Sequence, residues 1–219
     1  MPTHKTFTED DKNWWNPNGP FWTLHAINPI RLSFILNHIQ SGLALDVGCG
    51  GGILTEKLSD HFTSYGIDID NNLIDIAKAR EHKCHYYHAN SNEFANQYTE
   101  HFDLITCLEV LEHTKDPRSI IANMVKMLKP QGCLILSTLN RNLLSFITAI
   151  VIAEHLIKII PKNTHQYEYF ITPNELISYA YDHDLALKDI QGIGYNPLSK
   201  SFYITHNTSI NYIACFVKK

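Results

Sequence analysis

An apolar run, Leu43-Ala44-Leu45-Asp46-Val47, passes straight into Gly48-Cys49-Gly50-Gly51-Gly52, and helical spacing resumes at Ile53-Leu54-Thr55-Glu56-Lys57-Leu58. A strand that becomes a helix through glycine is the opening unit of an α/β sheet. Glycine stands where backbone must approach a ligand or adopt positive φ. Twenty positions after Gly48, at the end of the next apolar run, comes Asp68. A carboxylate there can accept hydrogen bonds from both ribose hydroxyls of an adenosine. A tight turn with no ligand would explain the glycines but not the spacing of the acid. The dinucleotide pattern Gly-x-Gly-x-x-Gly is broken, because its sixth position is Ile53.

The rest of the chain repeats the same rhythm. Candidate strands are Leu43–Val47, Thr63–Ile69, Cys84–Ala89, Phe102–Leu108, Gly132–Ser137, Leu185–Gly192 and Asn211–Val217. Helical spacing fills Leu54–His61, Leu73–His82 and Arg118–Leu128, and Lys129-Pro130-Gln131-Gly132 reads as a helix-ending turn. Strand, helix, strand repeated in this way predicts parallel pairing with right-handed crossovers. Two stretches interrupt the alternation. Residues 1–41 hold Trp14, Trp15, Phe21 and Trp22 ahead of a helix expected from Pro29, and residues 141–172 separate the fifth strand from a helix near Pro173. Both are expected to cover the carboxyl ends of the strands, as a cap and an inserted lid.

At 219 residues the chain fits one domain, 1–219, with 44% hydrophobic and 18% charged residues, an ordinary globular balance. A net charge of -4 disfavours a polyanionic partner, so nucleic acid is not expected. Five cysteines without a Cys-x-x-Cys pair argue against a disulfide framework and a thiolate zinc site, and for a reducing, cytoplasmic setting. The first residues lack the apolar core of a secretory signal.

The loop Asp46-x-Gly48-x-Gly50 resembles the first motif of class I S-adenosylmethionine-dependent methyltransferases. Further segments narrow the resemblance: Trp14-Trp15, Leu24-His25-x-Ile27-Asn28-Pro29-x-Arg31-Leu32, Glu109-x-Leu111-Glu112-His113, Ser137-Thr138-Leu139-Asn140-Arg141-Asn142, Pro161-Lys162-x-Thr164-His165 and Tyr195-Asn196-Pro197. With these the chain resembles the 3-demethylubiquinol 3-O-methyltransferase family over nearly its whole length. The resemblance implies a Rossmann-like fold with a seven-stranded, mostly parallel sheet and helices on both faces. It implies O-methylation of polyprenylated phenol and catechol intermediates of ubiquinone biosynthesis, with other enzymes of that pathway as partners. It further implies Arg31, Gly48, Gly50, Asp68 and Leu108 as cofactor contacts, Arg31 facing the methionine carboxylate. Two other readings are a class I methyltransferase acting on another small molecule, and a non-catalytic cofactor-binding subunit of a membrane-associated complex.

A phenol with pKa about 10 is ionised to roughly one part in a thousand at neutral pH, so methyl transfer to it needs a base or a cation that favours the anion. Glu109, Glu112 and His113 directly follow the Phe102–Leu108 strand. If a helical turn begins there, spacings of three and four place all three on one side. They are then ligands for Mg²⁺, with Glu109 and His113 as catalytic groups, or they contact the cofactor and cap the next helix without metal. His165, in the inserted segment, is a second candidate base. Phe146–Ile160 is too short and too charged to span a bilayer. Its apolar face fits an interfacial helix touching the inner face of the membrane, or a helix packed inside the lid.

Overall fold

A computed structural model describes residues 13–80, 83–142, 145 and 167–219. The segment 146–160 and His165 lie outside the described residues.

Among the described residues, eight strands form one sheet in the order β3-β2-β1-β4-β5-β8-β6-β7. The strands are β1 (Leu43–Val47), β2 (Thr63–Asp68), β3 (His85–His88), β4 (Phe102–Leu108), β5 (Leu128–Leu139), β6 (Leu185–Asn196), β7 (Ser201–Thr205) and β8 (Asn211–Lys218). From β3 to β5 every pairing is parallel, as the alternation predicts. Beyond β5 the pairings are antiparallel. The helices are α1 (Trp22–Leu36), α2 (Ile53–Leu58), α3 (Asn71–Lys78), α4 (Ser91–Ala95), α5 (Pro117–Met127) and α6 (Pro173–Tyr181).

Several boundaries differ from those expected. The seven-stranded sheet gains β7, which makes a hairpin with β6 through Asn196 to Ser201. The turn read at residues 129–132 lies inside β5, where pairing with β4 shifts between Phe102 and Leu104 and Gln131 takes φ 63°. The chain thus absorbs the extra residues as a bulge instead of leaving the sheet. Helix α1 begins seven residues before the expected Pro29, which it carries inside at the loss of one backbone hydrogen bond. The short α4 was not expected, although its capping box between Asn90 and Glu93 is a local signal.

The core lies on both faces of the sheet. Alternation is plain in β8, where Tyr212, Ala214 and Phe216 face the side packed by α4, α5 and α6, while Ile213 and Cys215 face the side that holds Phe34 and Ile35 of α1 and Leu54 and Leu58 of α2. The strand order reverses between β1 and β4, and at such a switch point the carboxyl ends of the strands open a crevice.

Candidate functional site

A cavity of about 890 Å³ opens at that switch point, between the carboxyl ends of β1, β2 and β4 and the inner side of α1. Its lining includes Arg31, Gly48, Gly50, Asp68, Leu108, Glu109 and His113. Seven of the eight described residues singled out from sequence as site residues therefore meet at one place.

The glycine turn is held to β2 by backbone: the Gly48 and Cys49 amides both donate to the Ile67 carbonyl, at 2.8 and 3.0 Å. Beneath it Asp46, 4% exposed, accepts from Thr55 Oγ1 at 2.8 Å and Thr106 Oγ1 at 2.7 Å. Burial raises the Asp46 pKa against those two hydrogen bonds. This triangle ties β1, β4 and α2 together directly below the loop.

The reason for part of the glycine run lies in the protein itself. A Cβ on Gly50, whose φ is +53°, would stand 2.8 Å from Trp14 Cζ2, and one on Gly51 would stand 2.5 Å from Trp14 Cδ1. The indole of Trp14 lies across these two residues, and Trp15 Nε1 donates to the Gly51 carbonyl at 3.1 Å. Close backbone approach was expected for a ligand; at Gly51 it serves the N-terminal tryptophan. Ile53, in place of a third dinucleotide glycine, starts α2 and borders the cavity.

Asp68 ends β2. Its Oδ2 accepts from the Gly50 amide at 2.8 Å and its Oδ1 from the Asp70 amide at 2.9 Å. Burial raises its pKa, with these amides pulling the other way. Each oxygen keeps a lone pair, and the next residue, Ile69, offers the cavity an apolar side chain that is 61% exposed. Ile69 was not singled out from sequence; its signal is only its place after the acid.

Arg31 is reached through α1. Asn28 Nδ2, buried, donates to the Ile53 carbonyl at 3.0 Å and pins the helix to the start of α2. Three residues on, Arg31 lies on the same side, 7% exposed. Its Nη2 stands 3.3 Å from Glu109 Oε1, and its Nε has no hydrogen-bond partner among the described residues.

Glu109, Glu112 and His113 do not form the expected set. Glu109 takes φ 57°, outside the helical region, and the turn that comes next is a 3-10 turn at Leu111–His113. The rule of three and four therefore fails. Glu109 and His113 border the cavity, whereas Glu112 turns inward, 2% exposed, and accepts from Thr138 Oγ1 at 2.9 Å. Burial and the neighbouring Glu109 push its pKa well up, which favours the neutral acid, a poor ligand for a hard cation. Among the described residues no group of three or more His, Cys, Asp or Glu side chains is placed to hold a metal ion. As arranged, the three do not fit Mg²⁺. Glu109 is instead fixed from both sides, by Arg31 and by Ser137 Oγ at 2.7 Å.

Among the described residues, no helix is long and apolar enough to cross a membrane.

Comparisons with known proteins bear on the fold and the family. A methyltransferase domain family matches residues 27–196. The ubiquinone biosynthesis O-methyltransferase of Coxiella burnetii (strain RSA 493 / Nine Mile phase I) is 42% identical over 216 residues, which cover 96% of this chain and 92% of that one. The protein of the same name from Methylococcus capsulatus is 42% identical, with 94% and 90% covered. Among solved structures, an N-methyltransferase of Bradyrhizobium japonicum in complex with S-adenosyl-L-homocysteine superposes with a TM-score of 0.63 at 21% identity, over 97% of this chain and 94% of that one. The fold is that of the class I methyltransferases, and the chain belongs to the ubiquinone biosynthesis O-methyltransferase family.

Proposed function

We propose that the chain, working as one methyltransferase domain, transfers a methyl group from S-adenosylmethionine to a phenolic oxygen of a polyprenylated ubiquinone precursor. The observation that carries the cofactor reading is Asp68, held by two loop amides with a free lone pair on each oxygen beside the cavity. Two adjacent ribose hydroxyls suit such a carboxylate. Ile69 and Leu108 supply apolar walls for a base, Gly48 and Gly50 bring backbone close, and the unpartnered Arg31 Nε suits the carboxylate of the methionine half. The fit therefore covers the sugar, the base and the amino-acid end.

S-adenosylmethionine, when bound, supplies a methyl group on a positive sulfonium, ready for an oxygen nucleophile. The protein's remaining task is to take the phenol proton. His113, exposed on the cavity wall, carries an imidazole that can accept a proton, and Glu109 is a fixed carboxylate four residues before it. Glu109 is oriented by Arg31 and Ser137, so it can stabilise a cationic His113 or receive the proton itself. A divalent cation would have to draw on Glu109 and His113 without Glu112.

The relatives' shared name supports a ubiquinone precursor as substrate. A lipid tail must be taken from a bilayer, which supports a peripheral position at the cytoplasmic face, with residues 146–160 as the contact and neighbouring pathway enzymes within reach. Incubation with S-adenosylmethionine and a short-chain prenylated catechol should yield the methyl ether by mass spectrometry. No methylation of any prenylated catechol, by a protein that binds the cofactor, would sink the substrate assignment.

A further inference from the structure

Two residues that border the cavity each carry a buried N–H with no hydrogen-bond partner among the described residues: Nε of Arg31 and Nε1 of Trp14, the latter over Gly51. The second is unexpected. A buried indole N–H ordinarily finds an acceptor, because leaving it dry and unpaired forfeits its hydrogen bond to water. Trp15, the adjacent residue, follows the rule through the Gly51 carbonyl. Trp14 is 7% exposed and its ring lies against Gly50 and Gly51, so it has little freedom to turn its N–H to solvent.

The charge around the cavity says what kind of acceptor can approach. Asp46, Asp68, Asp70 and Glu109 all border it, and Arg31 is the one lysine or arginine among the described lining residues. An anionic group is repelled elsewhere and is stabilised only at the end where Arg31 stands. The cofactor has one anion, the carboxylate of its methionine half. With two oxygens, that group can accept from a guanidinium and from an indole together.

We propose that Trp14 is a second recognition residue for that carboxylate, its indole N–H donating to the oxygen that Arg31 leaves uncovered. This rests on the reading of the cavity as the S-adenosylmethionine site. The tandem tryptophans then divide the work: Trp15 supports the glycine turn from outside, and Trp14 reads the ligand across it. The glycine at 51 is part of the same device, since any side chain there displaces the indole.

Calorimetric titration with S-adenosylhomocysteine and with its decarboxylated analogue tests the proposal in the full chain. Trp14→Phe should weaken S-adenosylhomocysteine about tenfold, ~1.4 kcal/mol. It should change the decarboxylated analogue by less than about twofold, since that ligand has nothing to accept the bond. Trp15→Phe should lower the melting temperature and leave the preference between the two ligands unchanged. An equal loss on both ligands with Trp14→Phe, or none on either, overturns the proposal, because the ring then acts by packing alone. If Trp14→Phe does not fold, the indole ¹H–¹⁵N resonances of the wild-type chain decide. The Trp14 signal should move on adding S-adenosylhomocysteine and much less with the analogue, and equal movement overturns the assignment. A wild-type chain that binds neither ligand overturns the cofactor reading instead, and this is seen before any substitution is made.

Discussion

Asp68→Asn separates the two tasks the carboxylate performs. In the structure each oxygen accepts one loop amide, from Gly50 at 2.8 Å and Asp70 at 2.9 Å, and has one lone pair left for ligand. An asparagine keeps one acceptor oxygen and turns an NH₂ toward the other amide. On the ligand side the substitution removes a hydrogen bond to a charged group, worth ~1.5–3 kcal/mol, or between one and two decades in affinity. On the protein side it leaves one N–H facing a donor, ~1–3 kcal/mol of stability, and at about 2–4 °C per kcal/mol the melting temperature falls by several degrees. Calorimetric titration with S-adenosylhomocysteine reads the first number and a thermal melt the second. The pH dependence has a definite sign: burial raises the Asp68 pKa in the free protein, so affinity should begin to fall at a higher pH than for an ordinary aspartate as acid is added. A folded Asp68→Asn chain that binds the ligand within about twofold of wild type, against the loss expected for a charged acceptor, refutes the ribose assignment.

Glu112 has a folded pKa well above its ordinary 4.5, so the folded chain keeps a proton that the unfolded chain releases. Its contribution to stability is therefore full below about pH 4.5 and lost as pH rises toward the folded value. Glu112→Gln, which mimics the neutral acid, should flatten this slope in urea unfolding at several pH values; an unchanged slope would show that Glu112 is ionised in the fold. Gly51→Ala should cost ~1–3 kcal/mol by urea unfolding through displacement of Trp14, although Gly51 itself needs no positive φ. Wild-type stability in that variant would mean that the indole is not seated on the loop. Tyr212→Phe removes the buried hydroxyl that donates to the Ile171 carbonyl at 3.0 Å, and should cost ~1–2 kcal/mol with cofactor affinity unchanged. A fall in affinity at constant stability would contradict its place in the core.

Much of this protein is local in origin and was legible in the chain. The strand-to-helix glycine turn, the acid at the end of the next strand and the alternation from β1 to β5 depend on backbone sterics and hydrophobic period, which adjacent residues decide. The resemblance to the family added Arg31, which no spacing rule selects, and the fold carries it to the same cavity. What only the tertiary structure decided depends on which distant group fills a position. Glu112 looked like a neighbour of Glu109 and His113 because a helical turn was assumed. The φ of 57° at Glu109 breaks that turn, and Thr138, 26 residues away, claims the carboxyl. The glycine at 51 looked like ligand-facing backbone, yet its missing side chain makes room for Trp14, 37 residues earlier in the chain, while Gly50 borders the cavity as well as the indole. Periodicity and propensity describe neighbours along the chain. They are silent on which of two buried partners wins a shared space, because that outcome is set by close packing and by the cost of leaving a polar group unpaired.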